Sequence, residues 1–147
     1  MNFCPLTNVD LPVVIALVNS IERSPYWIPG DSANEKHMTE CGLNFGAFEK
    51  QILIGKVGFT PLKEDEFEVN NMIVNKKYQH QGIGKQLFYY ALNELVNTKQ
   101  PKKVILFTYP KNTPAISLYE QFGFVQKEII PNKYGPGMDR VRMEKMM

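Results

Sequence analysis

The sequence predicts a single domain in which α-helices and β-strands are mixed. Its 147 residues suit one domain, and folding at this size buries roughly 68–70% of the surface of the unfolded chain. Hydrophobic residues make up 44% of the chain and charged residues 22%, which is an ordinary globular balance. Apolar segments with the period of a strand alternate with segments of helical period. We therefore expect about seven strands and about four helices in one α/β domain, 1–147.

The N-terminal half predicts two helices and a hairpin. Asp10 suits the N-cap of a first helix, because its side chain can accept from a backbone N–H and Pro12 follows in the first turn. Asp31–Glu40 has the composition of a short polar helix. The hairpin turns at Glu49 and Lys50. The strands expected in this half are Phe3–Leu6, Phe45–Phe48, Ile52–Phe59 and Phe67–Val74.

The C-terminal half predicts two further helices. Gly82–Asn97 has apolar residues at the spacing of one helical face. Pro114–Phe122 is bounded on both sides, because Asn112 or Thr113 can cap it and Gly123 ends it. The strands expected here are Val104–Thr108, Phe124–Ile130 and Met138–Met143.

Composition excludes several classes of function. With 17 basic and 15 acidic residues the net charge is only +2, so we expect no nucleic-acid partner. Two cysteines and two histidines without ligand spacing predict no metal site. The longest apolar run, Leu11–Val18, is far shorter than the about 20 residues of a membrane span, and Asp10 directly before it argues against a secretory signal. We expect a cytoplasmic protein with free thiols and no membrane association.

The clearest chemical signal is the glycine-containing segment Gln79–Lys85, which lies between a predicted strand and a predicted helix. Glycine lets the backbone approach a ligand, and a helix N-terminus offers unpaired N–H groups to an anion such as a pyrophosphate. The alternative is that the glycines serve the turn alone. The segment does not fit a P-loop, which needs Gly where this chain has Gln79 and Ser or Thr where it has Gln86. It does not fit a dinucleotide fingerprint either, because Leu87 stands in place of the third Gly.

The remaining pattern, Gln-x-x-Gly-x-Gly, resembles the acetyl-CoA pyrophosphate loop of the GNAT superfamily of N-acetyltransferases. The preceding strand, Glu68–Val74, and the later segment Asn112–Phe124 match further family segments, so the specific match covers residues 68–124. The resemblance implies a central, mostly antiparallel sheet with a splay between its fourth and fifth strands. It also implies acetyl-CoA as acyl donor and a primary amine as acceptor.

The resemblance assigns the acetyl-CoA site to the loop and to the strand before it. The pyrophosphate would lie on loop backbone N–H groups, with the Gln79 side chain shaping the loop, and the pantetheine arm would pair with the strand. Asn112 would bond the arm, although it also suits a helix cap. Asn70 and Asn71 are disfavoured in a strand, which indicates a bulge, a site, or a solvated edge. The residues implied for acetyl-CoA are Met72, Ile73, Val74, Gln79, Gln81, Gly82, Ile83, Gly84, Lys85 and Asn112.

The chemistry needs a base for the amine and a donor for the leaving sulfur. Glu68 stands where some family members have their base, and strict alternation would place it on the face of Met72 and Val74 unless the strand bulges. Tyr119 matches the family tyrosine that donates to the sulfur, and we expect its phenol to be partly exposed. The N–H of Ile73 or Val74 would hold the oxyanion. Alternatively, Glu68 is a surface carboxylate and Tyr119 belongs to an apolar helical stripe.

The acceptor is the least specified part. The resemblance suggests Tyr26, Trp27 and Tyr134 as lining residues, with Glu40 and Asp139 nearby, and aromatic rings with carboxylates suit a cationic amine. These side chains could equally serve packing alone. The acceptor is expected to be a small-molecule or peptide amine, and a homodimer is compatible with the resemblance. The competing hypothesis is a catalytically inactive acyl-CoA-binding module, against which the presence of Glu68 and Tyr119 counts.

Overall fold

The computed structural model describes residues 1–20 and 43–147. Within that part of the chain there are seven strands, three α-helices and two short 3-10 turns. The strands are β1 (Asn2–Pro5), β2 (Leu43–Glu49), β3 (Ile52–Lys63), β4 (Glu66–Val74), β5 (Lys103–Thr108), β6 (Val125–Ile130) and β7 (Arg140–Met146). The helices are α1 (Leu11–Asn19), α2 (Ile83–Lys99) and α3 (Thr113–Gln121). The expected polar helix Asp31–Glu40 lies outside the described residues.

The strands form one sheet in the order β1-β2-β3-β4-β5-β7-β6. Neighbouring strands are antiparallel except β4 and β5, which are parallel. The predicted mixed and mostly antiparallel sheet is therefore confirmed. Predicted strand positions agree to within a few residues, the largest difference being β3, which continues to Lys63.

The sheet is covered on both faces, which gives the domain two apolar clusters. The α1 cluster joins one face of the helix to the sheet through Leu6, Val14, Leu17, Val18, Leu53 and Ile73. The larger α2/α3 cluster, on the opposite face, packs these two helices on the sheet around Phe88, which is fully buried. Asp10 is the N-cap residue of α1, but its carboxylate accepts from the Thr7 N–H at 2.9 Å and does not cap that helix.

The parallel pair β4–β5 is short. Only three residue pairs join the strands, and the last of them is Glu68 with Ile105. Beyond that pair β4 continues to Val74 and β5 to Thr108 without pairing to each other. The predicted splay between the fourth and fifth strands is thus confirmed, and it leaves the second half of β4 paired with β3 alone among the described strands.

A β-bulge in β4 changes which way its side chains point. Asn70 pairs with Gly58 and Ile73 pairs with Lys56, so β4 has one more residue than β3 in this interval. Before the bulge, Phe67 and Val69 belong to the α2/α3 cluster. After it, Ile73 belongs to the α1 cluster, whereas Met72 and Val74 pack toward α2 and α3.

The bulge decides the position of Glu68. Because Glu68 lies between Phe67 and Val69, alternation places it on the α1 face of the sheet. Strict alternation across the whole strand predicted that Glu68 shares a face with Met72 and Val74, and that prediction is wrong because the extra residue reverses the alternation. The local conflict indicated by the two mid-strand asparagines is therefore a bulge, where the Asn70 amide donates to the Thr60 hydroxyl.

Candidate active site

The glycine segment forms a loop that ends in the first turn of α2. Gly82 is the N-cap residue of this helix and has φ = 78°, a left-handed conformation that favours glycine. His80, two residues earlier, also has a positive φ of 64°. Because no side chain caps α2, the N–H groups of its first turn remain available to a ligand. Together with the positive end of the helix dipole, they make this helix end the candidate anion site.

Side-chain contacts hold this loop against the end of β4. The Gln79 amide donates to the Val74 carbonyl oxygen at 2.9 Å, which is how Gln79 shapes the loop. A Cβ atom on Gly84 would lie 3.3 Å from Met72 Cε and 3.5 Å from Val74 Cγ2. Glycine at this position therefore lets the start of α2 lie directly against β4. Ile83 is buried in the core, whereas Gln81 and Lys85 are exposed.

The second half of β4 leads straight into this anion site. Met72, Ile73 and Val74 lie beyond the last β4–β5 pair, so their backbone has an open edge among the described strands. An open edge pairs readily with an extended ligand that carries amides. The groups expected to hold a pantetheine arm and those expected to hold a pyrophosphate are therefore contiguous.

Asn112 serves as the cap of α3. Its Oδ1 accepts from the Ala115 N–H at 3.4 Å, and its own N–H donates to the Tyr109 carbonyl. The cap engages only the oxygen of the side-chain amide. Among the described residues the amide nitrogen has no hydrogen-bond partner, so capping α3 is compatible with the expected bond to a pantetheine arm.

Tyr119 lies inside the α2/α3 cluster. Its ring packs edge to face on Phe88, with centroids 5.4 Å apart, and near Phe124 at 6.0 Å. The side chain is only 7% exposed, so the expectation of a partly exposed phenol is wrong. Burial raises the pKa of Tyr119, which keeps the hydroxyl protonated and able to donate. Tyr119 is thus part of the apolar stripe of α3, and it is also the residue that matches the family tyrosine.

Glu68 is half-buried on the opposite, α1 face of the sheet, at the last β4–β5 pair. Burial raises the pKa of its carboxyl, and the nearby Lys133 ammonium partly lowers it again. The two residues predicted to be catalytic therefore lie on opposite faces of the sheet, Glu68 on the α1 face and Tyr119 in the cluster on the other face.

The loop between β6 and β7 lies at the same opening. The Lys133 ammonium is 4.1 Å from the centroid of the Phe107 ring and 5.2 Å from that of Tyr134. Arg140 is 2% exposed, and its guanidinium carbon lies 5.3 Å from the Tyr134 centroid. Asp139 accepts from the Asn132 N–H at 2.9 Å and so shapes the loop.

Sequence reasoning identified Tyr134 but missed Lys133 and Phe107. Alternation in the apolar strand β5 could have placed Phe107 on the same face as Glu68, because Val104 and Leu106 belong to the opposite cluster. No pattern in the sequence indicated Lys133, since its contact depends on the path of the loop. Tyr26, Trp27 and Glu40 lie outside the described residues.

The described residues hold neither a metal-ligand cluster nor a membrane-spanning helix. Among residues 1–20 and 43–147, no three side chains of His, Cys, Asp or Glu cluster as metal ligands. Likewise, none of the helices in these ranges has the length and apolar character that crossing a membrane requires.

Comparison with known proteins agrees with this fold. The family model of the acetyltransferase (GNAT) family matches residues 15–124. That match covers most of the chain, including β4, the glycine loop and α3. The chain therefore belongs to the GNAT acetyltransferase family.

Individual relatives are distant in sequence and near in structure. An N-alpha-acetyltransferase of Sulfurisphaera tokodaii is 28% identical over 150 residues, covering 94% of this chain and 87% of the relative. The ribosomal-protein-S18-alanine N-acetyltransferase of Escherichia coli has a TM-score of 0.82 at 24% identity, covering 99% of this chain and 92% of that one. The ribosomal-protein-alanine N-acetyltransferase of Brucella melitensis has a TM-score of 0.84 at 18% identity, with full coverage of both chains. These two structures establish the shared fold.

The open space at Gly82 allows a direct test of the anion site. A Cβ at Gly82 would have a single neighbour as near as 4.0 Å, and asparagine tolerates a left-handed φ. We expect Gly82→Asn to fold and to weaken acetyl-CoA binding more than tenfold, about 1.4 kcal/mol, by placing a side chain in the ligand's space. Gly137→Asn is the matched control, because Gly137 has φ = 76° and open surroundings. Equal affinities of both variants and wild type in calorimetry would remove the loop from the site.

The raised pKa of Glu68 predicts a pH-dependent stability. Where the wild-type carboxyl is protonated in both states, Glu68→Gln should change the free energy of unfolding little. As pH rises through the folded-state pKa, the buried carboxylate destabilises wild type, because a raised folded pKa means stability lost on ionisation. The advantage of Glu68→Gln should therefore grow from about pH 4 to about pH 7 in urea unfolding. An advantage that shrinks over this range would show that the carboxylate is stabilised in the fold.

Proposed function

We propose that this protein transfers the acetyl group of acetyl-CoA to a primary amine by direct attack in a ternary complex. The supporting observation is the open edge of β4, which runs from the splay at Glu68 into the uncapped N-terminus of α2. Such an edge suits the amides of pantetheine, and such a helix end suits a pyrophosphate. A single cytoplasmic domain belongs to the same proposal, and the free thiol of Cys4 supports a reducing compartment.

Acetyl-CoA would extend along this path. The pyrophosphate would accept from the N–H groups of Gln81, Gly82, Ile83, Gly84 and Lys85, at and just before the first turn of α2. The pantetheine amides would pair with Met72, Ile73 and Val74, and the Asn112 amide nitrogen would donate to the arm. The thioester would then reach the opening between β4 and β5.

The two faces of the sheet would carry the two proton-handling groups. The amine would approach from the α1 face, where Glu68 takes its proton directly or through water as nitrogen attacks the thioester carbon. The N–H of Ile73 or Val74 would hold the oxyanion. As the C–S bond breaks, Tyr119 on the α2/α3 face would donate to the sulfur. The products are an N-acetyl amide and coenzyme A.

The environment of each group suits its role. Glu68 has a pKa raised by burial, which makes it a stronger base than an exposed carboxylate. Tyr119 has a raised pKa, so it acts by hydrogen bonding to the departing sulfur and does not become a phenolate. Because a thiol has a pKa near about 8.5, the thiolate needs only modest assistance.

The favoured acceptor is the α-amino group of a polypeptide. Deprotonating a lysine-like amine at pH 7 costs about 4–5 kcal/mol, whereas an α-amino group with a pKa near 7.7–8.0 costs about 1 kcal/mol. A half-buried carboxylate such as Glu68 is better matched to the smaller of these costs. The curated relative at 28% identity carries the name N-alpha-acetyltransferase, which supports the same class of acceptor.

An amine panel tests this function. Acetyl-CoA is incubated with short peptides of varied first residue, their N-terminally blocked lysine-containing counterparts, and small polyamines, while release of free thiol is followed. We expect turnover of unblocked peptides and little of the blocked ones. Binding of acetyl-CoA without turnover of any amine would favour an inactive acyl-CoA-binding module.

Removing the Tyr119 hydroxyl separates catalysis from packing. No hydrogen bond from this hydroxyl is present among the described residues, so Tyr119→Phe should leave the melting temperature nearly unchanged. We expect kcat to fall by roughly ten- to a thousandfold, the scale of a lost hydrogen bond to the charge that develops in the transition state, while acetyl-CoA affinity holds within a few fold. Tyr89→Phe, on an exposed tyrosine of α2, is the control. Full turnover in Tyr119→Phe would leave only the packing role.

A further inference from the structure

We propose that the Lys133 ammonium occupies an aromatic cation site, formed by Phe107 and Tyr134, that also binds the ammonium group of the acceptor. The acceptor would displace this side chain on binding, so Lys133 sets the affinity for the acceptor. This inference rests on the proposed function, because it assigns a cation site to the acceptor side of the same opening.

The Lys133 ammonium has the contacts of a bound cation. It lies 4.1 Å from the Phe107 centroid and 5.2 Å from the Tyr134 centroid. An ammonium within about 6 Å of a ring centroid is attracted by the negative face of the ring. The pair of rings is therefore a site for a primary ammonium group, and the occupant is one of the chain's own.

This cation site faces the side from which the amine would attack. Phe107 lies two residues beyond Ile105, which is the last partner of Glu68 in the parallel pair. Strand alternation places Ile105 and Phe107 on the face of the sheet that carries Glu68. Lys133 is also near enough to Glu68 for its positive charge to lower the pKa of the Glu68 carboxyl.

Lys133 can be displaced, whereas the other cation of this cluster is held in place. Arg140 also contacts Tyr134, but it is 2% exposed and its guanidinium donates to the Asp139 carbonyl at 2.7 Å. Lys133 is only half-buried and lies in the turn between β6 and β7. A lysine stem lets the ammonium swing into water with little loss of packing. Two ammonium groups repel each other, so acceptor and Lys133 cannot share the rings.

The test compares three variants with the best peptide acceptor from the panel. Lys133→Met keeps the stem and removes the charge, Lys133→Arg keeps the charge, and Lys99→Met removes an exposed lysine from the last turn of α2. We expect Lys133→Met to lower KM for the peptide about three- to tenfold, the scale of one cation–π contact, with a smaller change in kcat. Lys133→Arg and Lys99→Met should keep KM within about twofold of wild type. An unchanged or raised KM in Lys133→Met would overturn the inference.

A binding measurement separates this inference from the proposed function. n-Butylammonium chloride is titrated into each protein without acetyl-CoA, and the ring protons of tyrosine and phenylalanine are followed by NMR. We expect tighter binding to Lys133→Met than to wild type, with shifts that are lost in Phe107→Leu. Equal binding by wild type and Lys133→Met refutes the displacement even if the enzyme is active. Failure of the amine panel refutes the acetyltransferase function even if the rings bind the probe.

Discussion

The short parallel pairing of β4 with β5 is the constraint on which the site depends. After three residue pairs the strands part, and the backbone of β4 from Val69 to Val74 keeps a partner on only one side among the described strands. Backbone N–H and C=O groups need partners, so an open edge inside a sheet favours a ligand that can pair with it. The start of α2 completes the arrangement, because Gly84 lets the helix lie against this edge and Gly82 leaves its first turn uncapped.

The bulge in β4 places the two candidate catalytic residues on opposite faces of the sheet. Without the extra residue, Glu68 would share the α2/α3 face with Met72 and Val74 and would lie on the same side as Tyr119. With it, the carboxylate faces α1 while the phenol remains in the opposite cluster. A ligand that passes through the opening would then meet a base on one side and a hydrogen-bond donor on the other. In the proposed mechanism the acyl acceptor and the leaving group accordingly have separate approaches.

The helix and loop elements were predictable because their sequence patterns involve residues close together in the chain. The glycines of Gln79–Lys85 and the cap, proline and terminating glycine around α3 depend on neighbours in sequence, and these elements formed as expected. The face on which Glu68 lies depends on strand register. The two asparagines indicated an irregularity in β4, but they did not show where the extra residue lies. The burial of Tyr119 depends on its ring meeting Phe88 of α2 and Phe124, the residue directly before β6, in space. The contact of Lys133 with Phe107 joins a loop to a strand, which periodicity does not encode.

Amide hydrogen exchange with and without acetyl-CoA shows whether the open edge of β4 and the first turn of α2 form one binding surface. The account predicts slower exchange at N–H groups within residues 69–74 that point toward β5 and at Ile83, Gly84 and Lys85, together in the same titration. The β1–β2 pair, on the far edge of the sheet, should be unaffected. Saturation with acetyl-CoA that leaves both segments unchanged, or that protects α2 without β4, would contradict the account.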